Sequence, residues 1–310
     1  MTRYGYLGPA GTFTQMALDA WRPAAGQASE PFGSVDAALA ALRSHTIDAA
    51  VVPIENSVEG GVSATLDALA TGDPLIVTGE ILVPITFVLA APKGVSLEQV
   101  RAIGSHSHAW AQVRAWAAAT VPDATYVATL STAAAAADLA AGTAVYDAAV
   151  CAPAAAELHD LQVLASDIGD RAGAVTRFVV VSRPEWVPAA TGRDKTTVVL
   201  YQRADRAGGL LELLEQFSAR GINMTRLESR PTKETMGSYC FSIDFEGHVR
   251  DERVGEALMS LKRVCGEVRF LGSYPAANGQ QPTIDPLATD TRFADARSWL
   301  AELRSLGDDR

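Results

Sequence analysis

The sequence predicts an α/β protein of two domains: a two-lobed α/β domain and, after a linker, a smaller domain of the order β-α-β-β-α-β. Three observations support this prediction. Short apolar runs alternate with alanine-rich helical stretches over residues 1–182. Two similar helix–strand units occur in that region, about 100 residues apart. Beyond residue 194 the chain changes to strands with alternating apolar residues and two amphipathic helices.

The elements of the first domain follow from apolar runs bounded by glycine, proline and polar residues. Arg3–Leu7 is predicted as the first strand and Thr14–Trp21 as a helix. The other predicted strands are Asp48–Pro53, Ile85–Ala90, Arg101–Gly104, Ala144–Cys151 and Phe178–Val181.

The two similar units predict two similar lobes. The first unit runs from Ser34 to Pro53 and the second from Ser131 to Pro153. Each begins with a serine that can cap a helix, continues through alanine-rich sequence, and ends in a strand that opens Asp-Ala-Ala-Val. Alanine-rich α/β proteins can also repeat such patterns by chance. If the lobes exist, a small ligand is expected in the cleft between them.

The second domain is predicted from a change of periodicity. Its elements are Thr196–Gln202, Gly208–Arg220, Ile222–Glu228, Gly237–Phe245, Glu252–Val264 and Glu267–Leu271, a ferredoxin-like order. The two helices are expected to cover one sheet face and to leave the other face or an edge free for a partner chain.

The stretch rich in proline around residue 187 is the predicted boundary. We therefore predict domains at 1–182 and 195–275, a linker at 183–194 and a C-terminal tail at 276–310. Within that tail, Thr291–Leu306 is predicted as a helix of unknown role.

The composition is globular and disfavours some partners. Hydrophobic residues make up 48% and charged residues 20% of the 310 residues. The net charge of −10 argues against nucleic acid, because phosphate binding needs a basic face. An anionic small molecule is still compatible, since one pocket can be locally positive on an acidic protein.

Nothing in the sequence predicts secretion or a membrane. The first residues lack the regions of a signal peptide, and no apolar run reaches about 18 residues. Cys151, Cys240 and Cys265 follow no CxxC spacing, which favours free thiols in a reducing compartment. The predicted location is the cytoplasm.

Two predicted strands end in segments that can bind a ligand, and the first of them suits an anion. Gly8–Thr14 joins a strand to a helix, where glycines permit close approach and free N–H groups attract negative charge. A small-anion site, a plain turn and a nucleotide site all remain open, although the spacing is not GxGxxG. Glu55, Asn56 and Ser57 follow a buried strand, where α/β folds place ligands, or they form an ordinary turn.

Two further segments carry hydrogen-bonding groups. Ser105–Gln112 offers hydroxyls, an amide and a His-x-His pair, for which a polar substrate fits better than zinc because no third ligand has a recognisable spacing. Thr176, Arg177 and Phe178 enter a strand, and the guanidinium of arginine can hold a carboxylate. An ordinary strand start is the alternative.

Together, the segments Gly-Pro-Ala-Gly-Thr-Phe-Thr at 8–14, Pro-Ile-Glu-Asn-Ser at 53–57, Ser-His-x₅-Gln at 105–112 and Thr-Arg-Phe at 176–178 resemble the prephenate dehydratase family. The second domain resembles an ACT domain. This resemblance implies a periplasmic-binding-protein-like catalytic domain and a monofunctional enzyme. It also implies decarboxylating dehydration of prephenate to phenylpyruvate in phenylalanine biosynthesis, with no cofactor and no metal.

The resemblance implies roles for particular residues. Thr176 would be the catalytic residue, a hydrogen-bond or proton donor to the leaving hydroxyl. The implied substrate-binding residues are Thr12, Glu55, Asn56, Ser57, Ser105, Gln112, Arg177 and Phe178.

The resemblance also implies allosteric regulation by L-phenylalanine, bound between the ACT domains of two chains in a homodimer or homotetramer. The implied effector-binding residues are Gly208, Gly209, Leu210, Asn223, Met224, Glu228, Ser229 and Arg230.

Three positions depart from the family pattern, and they concern substrate contacts and effector binding rather than the class of reaction. Ala174 stands where the family usually has asparagine, His106-Ser107-His108 replaces His-Pro-Gln, and Gly209 replaces alanine. Other functions also stay open: an arogenate dehydratase, a non-catalytic cytosolic amino-acid sensor, or a nucleotide-dependent transferase that uses Gly8–Gly11.

Overall fold

The computed structural model describes residues 1–232 and 238–306, which form two compact units. The first unit comprises Met1–Thr65 and Ile81–Val180. The second comprises Leu66–Glu80 and the residues from Val181 onward. A segment from the N-terminal half therefore belongs to the unit that the C-terminal part builds, and nothing in the sequence pattern indicates this.

The strands in chain order are β1 Arg3–Leu7, β2 Ala28–Phe32, β3 Ala49–Asn56, β4 Gly60–Gly61, β5 Ile76–Pro84, β6 Val88–Ala91, β7 Ala102–Ser105, β8 Thr125–Ala128, β9 Ala148–Cys151, β10 Gln162–Ala165, β11 Val175–Ser182, β12 Asp194–Tyr201, β13 Met224–Pro231, β14 Tyr239–Glu246 and β15 Glu267–Pro275. The α-helices are α1 Phe13–Ala20, α2 Val35–Arg43, α3 Ser63–Ala70, α4 Ser107–Ala111, α5 Arg114–Thr120, α6 Thr132–Ala141, α7 Pro153–Leu158, α8 Gly209–Ser218, α9 Glu252–Val264 and α10 Asp290–Ser305. Two short 3₁₀ helices lie at Arg22–Ala24 and Leu97–Gln99.

The first lobe of the first unit is built on a sheet of order β2-β1-β3-β11-β5, with β4 paired to β3. Strand β1 is parallel to both β2 and β3. Apolar residues that alternate along these strands pack against α1, with Tyr4, Val51, Phe178 and Ala17 in one buried cluster. This packing places the carboxyl end of β3 beside the start of β11.

The second lobe is built on a sheet of order β10-β6-β9-β7-β8. Ala133 and Ala136 of α6 pack on Val88 and Cys151 of the sheet in one small buried cluster. Alanine suits both positions because a small side chain lets the helix lie close to the strands. The predicted pair of αβ lobes is therefore present within this unit.

The second unit contains the predicted β-α-β-β-α-β order, with a sheet of order β13-β14-β12-β15. Strand β12 is antiparallel to β14 and β15, and β13 is antiparallel to β14. Helices α8 and α9 cover one face through a core that includes Val198, Phe217, Ile243 and Leu261. The predicted mixed α/β fold class is confirmed.

The sheet face without helices is not free, so the prediction was wrong for this face, whereas a free edge stays a prediction. Residues 66–80 of the same unit lie on it: the Tyr201 hydroxyl donates to the Ala70 carbonyl oxygen over 2.5 Å. A Cβ on Gly272 would lie 2.3 Å from the Val77 carbonyl oxygen, and its φ of +119° also favours glycine. The sequence did not reveal this cover because it is remote in the chain.

Element boundaries differ from prediction where side chains replace strand pairing. The predicted strand Ala144–Cys151 is shorter, because the Asp147 carboxylate accepts the backbone N–H groups of Arg101 and Ala102. Strand β5 was missed, and the predicted strand Ile85–Ala90 begins only at Val88. Helix α9 matches its prediction. The predicted start of the strand at Gly237 lies outside the described residues.

None of the helices in the described part of the chain is both long and apolar enough to cross a membrane.

Candidate active site

The end of β3 and the start of β11 are joined by side chains in register. The Asn56 amide donates to Thr176 Oγ1 over 2.8 Å, and Arg177 Nε donates to Glu55 Oε2 over 3.1 Å. Ser57 adds two bonds, because its backbone N–H donates to the Val175 carbonyl and its hydroxyl accepts from the Val175 N–H, each over 2.9 Å. Two segments that are more than 100 residues apart in the chain therefore form one constellation.

The Thr176 hydroxyl is oriented by Asn56. Asn56 Oδ1 accepts the backbone N–H groups of Val58 at 2.7 Å and Glu59 at 3.3 Å. These bonds direct the Asn56 NH₂ group toward Thr176, whose oxygen must therefore accept. The Thr176 proton is then free to be donated to another group. The side chain is 7% exposed, in a setting where hydrogen bonds are stronger than in water.

Arg177 is buried and is paired with Glu55. Its side chain is 6% exposed, whereas that of Glu55 is 37% exposed. A buried guanidinium beside a carboxylate is favourable only with good geometry and is costly to break. The pair therefore links the two strands directly below the Asn56–Thr176 contact.

Phe178 lies in the hydrophobic core of the first lobe, where it packs with Tyr4 and Val51 and is 2% exposed. It supports strand β11 from beneath.

Thr12 caps helix α1. Its hydroxyl accepts from the Gln15 N–H at 3.3 Å and donates to the Leu7 carbonyl at 3.1 Å. Gly11 beside it has a φ of +82°, and a Cβ there would lie 3.0 Å from the Cα of Ala155 in the second lobe. Glycine is therefore needed here both for the turn and for close contact between the lobes.

A cavity of about 300 Å³ next to this loop is lined by Gly11, Thr12, Asp19, Glu157 and others. The carboxylates of Asp19 and Glu157 in this cavity would repel a doubly charged anion. Burial raises the pKa of Asp19 above its ordinary value. The glycine loop thus faces an acidic cavity, which weakens the small-anion interpretation of this segment.

Ser105 and Gln112 make their hydrogen bonds within the second lobe. The Ser105 hydroxyl donates to the Val150 carbonyl at 2.9 Å and is fully buried. The Gln112 amide donates to the His108 carbonyl at 3.2 Å. Both bonds fix the segment that leads from β7 into α4.

The two histidines of this segment interact with each other and with the first lobe. The His106 and His108 rings lie 5.0 Å apart, edge to face. His108 Nδ1 lies 2.7 Å from Glu59 Oε2, at the turn that follows β3. The pKa of His106 is below its ordinary value, chiefly because burial disfavours its charged form and also because of His108, while Glu59 acts in the opposite direction.

Sequence reasoning missed Glu59 and Asp170. The Asp170 carboxylate accepts the N–H groups of Ala115 and Trp116, each at 2.9 Å, and so caps α5. Its own N–H donates to the Gln112 carbonyl at 2.7 Å. No local pattern indicates these contacts. In the described ranges, no group of three or more His, Cys, Asp and Glu side chains is placed to hold a metal.

In the second unit, a cavity of about 430 Å³ lies at the start of α8. It brings together four of the predicted effector residues, namely Gly208, Gly209, Leu210 and Ser229. Leu214 and Phe241 supply apolar walls, and Gln202 and Arg206 supply polar ones. A helix start beside an apolar pocket can accommodate a carboxylate attached to a ring.

The other predicted effector residues lie elsewhere. Asn223 donates to Glu246 at 3.0 Å, and Met224 packs on the core beneath the helices. Glu228 and Arg230 lie on the same side of β13 as Arg226, because alternate residues of a strand face the same side. Arg230 pairs with Asp67 at 3.0 Å. These residues therefore do not line this cavity.

Comparison with known proteins gives a consistent result. Residues 4–185 match the family described as prephenate dehydratase, and residues 196–263 match the ACT domain. The prephenate dehydratase of Amycolatopsis methanolica is 47% identical over 98% of both chains. The chain belongs to the prephenate dehydratase family. The family and the ACT domain inferred from the sequence are thus confirmed.

Solved structures extend the comparison. The prephenate dehydratase of Arthrobacter aurescens, in complex with L-Phe, is 50% identical, with a TM-score of 0.94 and coverage of 98% of this chain and 99% of that one. A structure described as a novel type of quorum-quenching acylase is 28% identical, with a TM-score of 0.79 and coverage of 88% and 98%. The fold of this prephenate dehydratase family member is therefore also found in a protein described by another activity.

Proposed function

We propose that this chain is a prephenate dehydratase, a carbon–oxygen lyase that converts prephenate to phenylpyruvate, carbon dioxide and water. Family membership and the names of its relatives support the reaction. The Asn56–Thr176 contact carries the proposal on the structural side, because it presents a hydroxyl proton from a buried position.

The reaction needs little beyond placement and one donated proton. As the ring carboxylate leaves as carbon dioxide, its bonding electrons enter the ring and the C–OH bond breaks. The departing hydroxide takes a proton, which solvent supplies in the overall balance, and becomes water, while aromatisation supplies the driving force. Thr176 hydrogen-bonds to the leaving oxygen, and Asn56 prevents its hydroxyl from turning away.

The other predicted residues support this constellation. Pairing with Glu55 favours an orienting role for Arg177 rather than direct contact with a substrate carboxylate. Ser57 holds the start of β11, and Ser105 and Gln112 shape the opposite wall. Thr12 and Phe178 act through the framework, since one caps α1 and the other fills the core.

The first expected result is a substrate preference. Incubation of the purified protein with prephenate should produce phenylpyruvate, followed by its absorbance in alkali, whereas arogenate should produce phenylalanine more slowly or not at all. A faster reaction with arogenate would reassign the substrate. Binding of either compound without product would favour the amino-acid sensor.

We further propose that L-phenylalanine is the effector and that its ring occupies the cavity beside Leu214 and Phe241. Its carboxylate would lie at the start of α8, near Gly208 and Gly209. The L-Phe complex of the Arthrobacter aurescens relative supports this. Binding must favour one state of the enzyme over another in order to regulate it.

Titration with L-phenylalanine should change turnover with a saturable dependence, and Gly208→Ala should weaken binding about tenfold. Gly208 has a φ of +78°, which alanine adopts only with strain, so the loop should shift away from the ligand. Calorimetry and initial rates measure the two effects.

Gly26→Ala is the matched control, because Gly26 has a φ of +71° and, like Gly208, open space around its Cα. This variant should bind phenylalanine as the wild type does. Absence of both heat and rate change in the wild type would eliminate the effector proposal.

The remaining proposals concern organisation. We propose a cytoplasmic homodimer or homotetramer in which ACT domains of two chains share the effector. Residues 1–182 would be the catalytic domain, 183–194 the linker, 195–275 the regulatory domain and 276–310 a tail. The three cysteines, Cys151, Cys240 and Cys265, are free and buried, which fits a reducing compartment.

A further inference from the structure

A contact between a histidine and a carboxylate joins the two lobes of the first unit beside the Asn56–Thr176 contact. His108 belongs to α4 of the second lobe, and Glu59 belongs to the turn after β3 of the first lobe. Their Nδ1 and Oε2 atoms are 2.7 Å apart. Both side chains are partly exposed, at 67% and 39%, so that neither is required for the core.

Glu59 is connected to Thr176 through the side-chain amide of Asn56. The Glu59 and Val58 N–H groups both donate to Asn56 Oδ1, and the other end of the same amide donates to Thr176. A displacement of the turn would therefore rotate or withdraw the Asn56 amide. The Thr176 hydroxyl would then lose the partner that orients its proton.

The His108 side is held by its own helix. The His108 N–H donates to His106 Nδ1 over 3.3 Å, and the His108 carbonyl accepts from Gln112 at 3.2 Å. The His106 ring also packs edge to face against the His108 ring. The first turn of α4 thus presents the His108 imidazole in a defined position toward the first lobe.

We propose that His108 and Glu59 are positioning residues that clasp the two lobes and so hold Asn56 and Thr176 in their reactive arrangement. This inference rests on the proposed function. It assigns a role to the place where His106-Ser107-His108 departs from the family's His-Pro-Gln. A polar contact between exposed side chains has a small effect, so we expect a change in rate of about fivefold at most.

His108→Ala and Glu59→Ala should each lower kcat for prephenate about three- to fivefold and leave KM nearly unchanged. The double variant should be no slower than either single one, because both remove the same contact. His108→Gln should recover most of the rate, since its amide can still donate to Glu59.

Lys93→Ala is the matched control. Lys93 and Asp160 form an exposed ion pair 2.5 Å apart within the second lobe alone, and its removal should leave kcat unchanged. Additive losses in the double variant, an unaltered kcat in both single variants, or an equal loss in Lys93→Ala would overturn the clasp.

Amide hydrogen exchange tests the clasp without the reaction. Exchange over residues 56–62 should be faster in His108→Ala and Glu59→Ala than in the wild type and Lys93→Ala, because Val58 and Glu59 N–H protection depends on Asn56. Equal exchange in all four proteins would refute the inference. If the wild type does not convert prephenate, the proposed function fails, and this measurement still decides whether the clasp exists.

Discussion

Thr176→Val is expected to fold and to turn over prephenate at least about a hundredfold more slowly than the wild type, the scale of losing one placed donor. Valine keeps the shape of threonine but cannot donate to the leaving hydroxyl. It also leaves the Asn56 amide without this acceptor, which costs about 1–3 kcal/mol and which a chain of this size can tolerate. Steady-state rates and circular dichroism of the same preparation measure both effects.

Thr176→Ser separates the effect of the hydroxyl group from that of the methyl group. It keeps the hydroxyl and loses only a methyl group, so its kcat should stay within about fivefold of the wild type, while Thr176→Ala should resemble Thr176→Val. A Thr176→Val enzyme that works within threefold or so of the wild-type rate would show that another group assists the leaving oxygen.

Asp244→Ala is expected to destabilise the second unit by about 3–5 kcal/mol. Asp244 is fully buried on the sheet face that residues 66–80 cover. It accepts from Arg226 Nε at 2.9 Å and Nη2 at 2.8 Å, and from the Thr197 hydroxyl at 2.9 Å. Its removal would leave a guanidinium that is 4% exposed without its buried counter-charge. Urea unfolding, monitored by amide hydrogen exchange in β12 and β14, measures the loss of stability.

Two further variants sharpen this result. Glu267→Ala also removes one carboxylate from the same sheet, but Glu267 is 57% exposed and 3.9 Å from Arg269, so the loss should stay below about 1 kcal/mol. Arg226→Met combined with Asp244→Ala should recover at least half of the stability, because it removes the stranded charge. Equal losses in Asp244→Ala and Glu267→Ala would contradict the explanation.

The sequence predicted most of the fold because the local periodicity of apolar residues identifies most of its helices and strands. Helix α9 has four apolar or small residues on one stripe, and its predicted bounds match. Strand β1 also has its predicted bounds, Arg3–Leu7, with three consecutive buried residues at its centre. Strand β5 was missed, since Thr78, Gly79 and Glu80 interrupt its apolar residues and its neighbours are remote in the chain.

The sequence predicted which segments would form the site, but not how their side chains are arranged. Asn56 and Thr176 were both identified, yet only the structure places their side chains 2.8 Å apart. Thr12 was predicted to bind substrate, which stays a prediction, and only the structure shows that its hydroxyl caps α1. Glu59 and Asp170 were not identified, because a single carboxylate in a turn has no distinguishing neighbours in sequence.

The amino-acid sequence by itself determined the α/β class, the paired lobes, the β-α-β-β-α-β unit and the family, since these depend on periodicity and on short ordered motifs. Tertiary structure alone decided that the Thr176 hydroxyl proton is free to be donated and which side chains bridge the lobes. It also decided that residues 66–80 cover the sheet of the second unit. These features depend on contacts between residues far apart in the chain, and such contacts are set by how the elements pack rather than by local pattern.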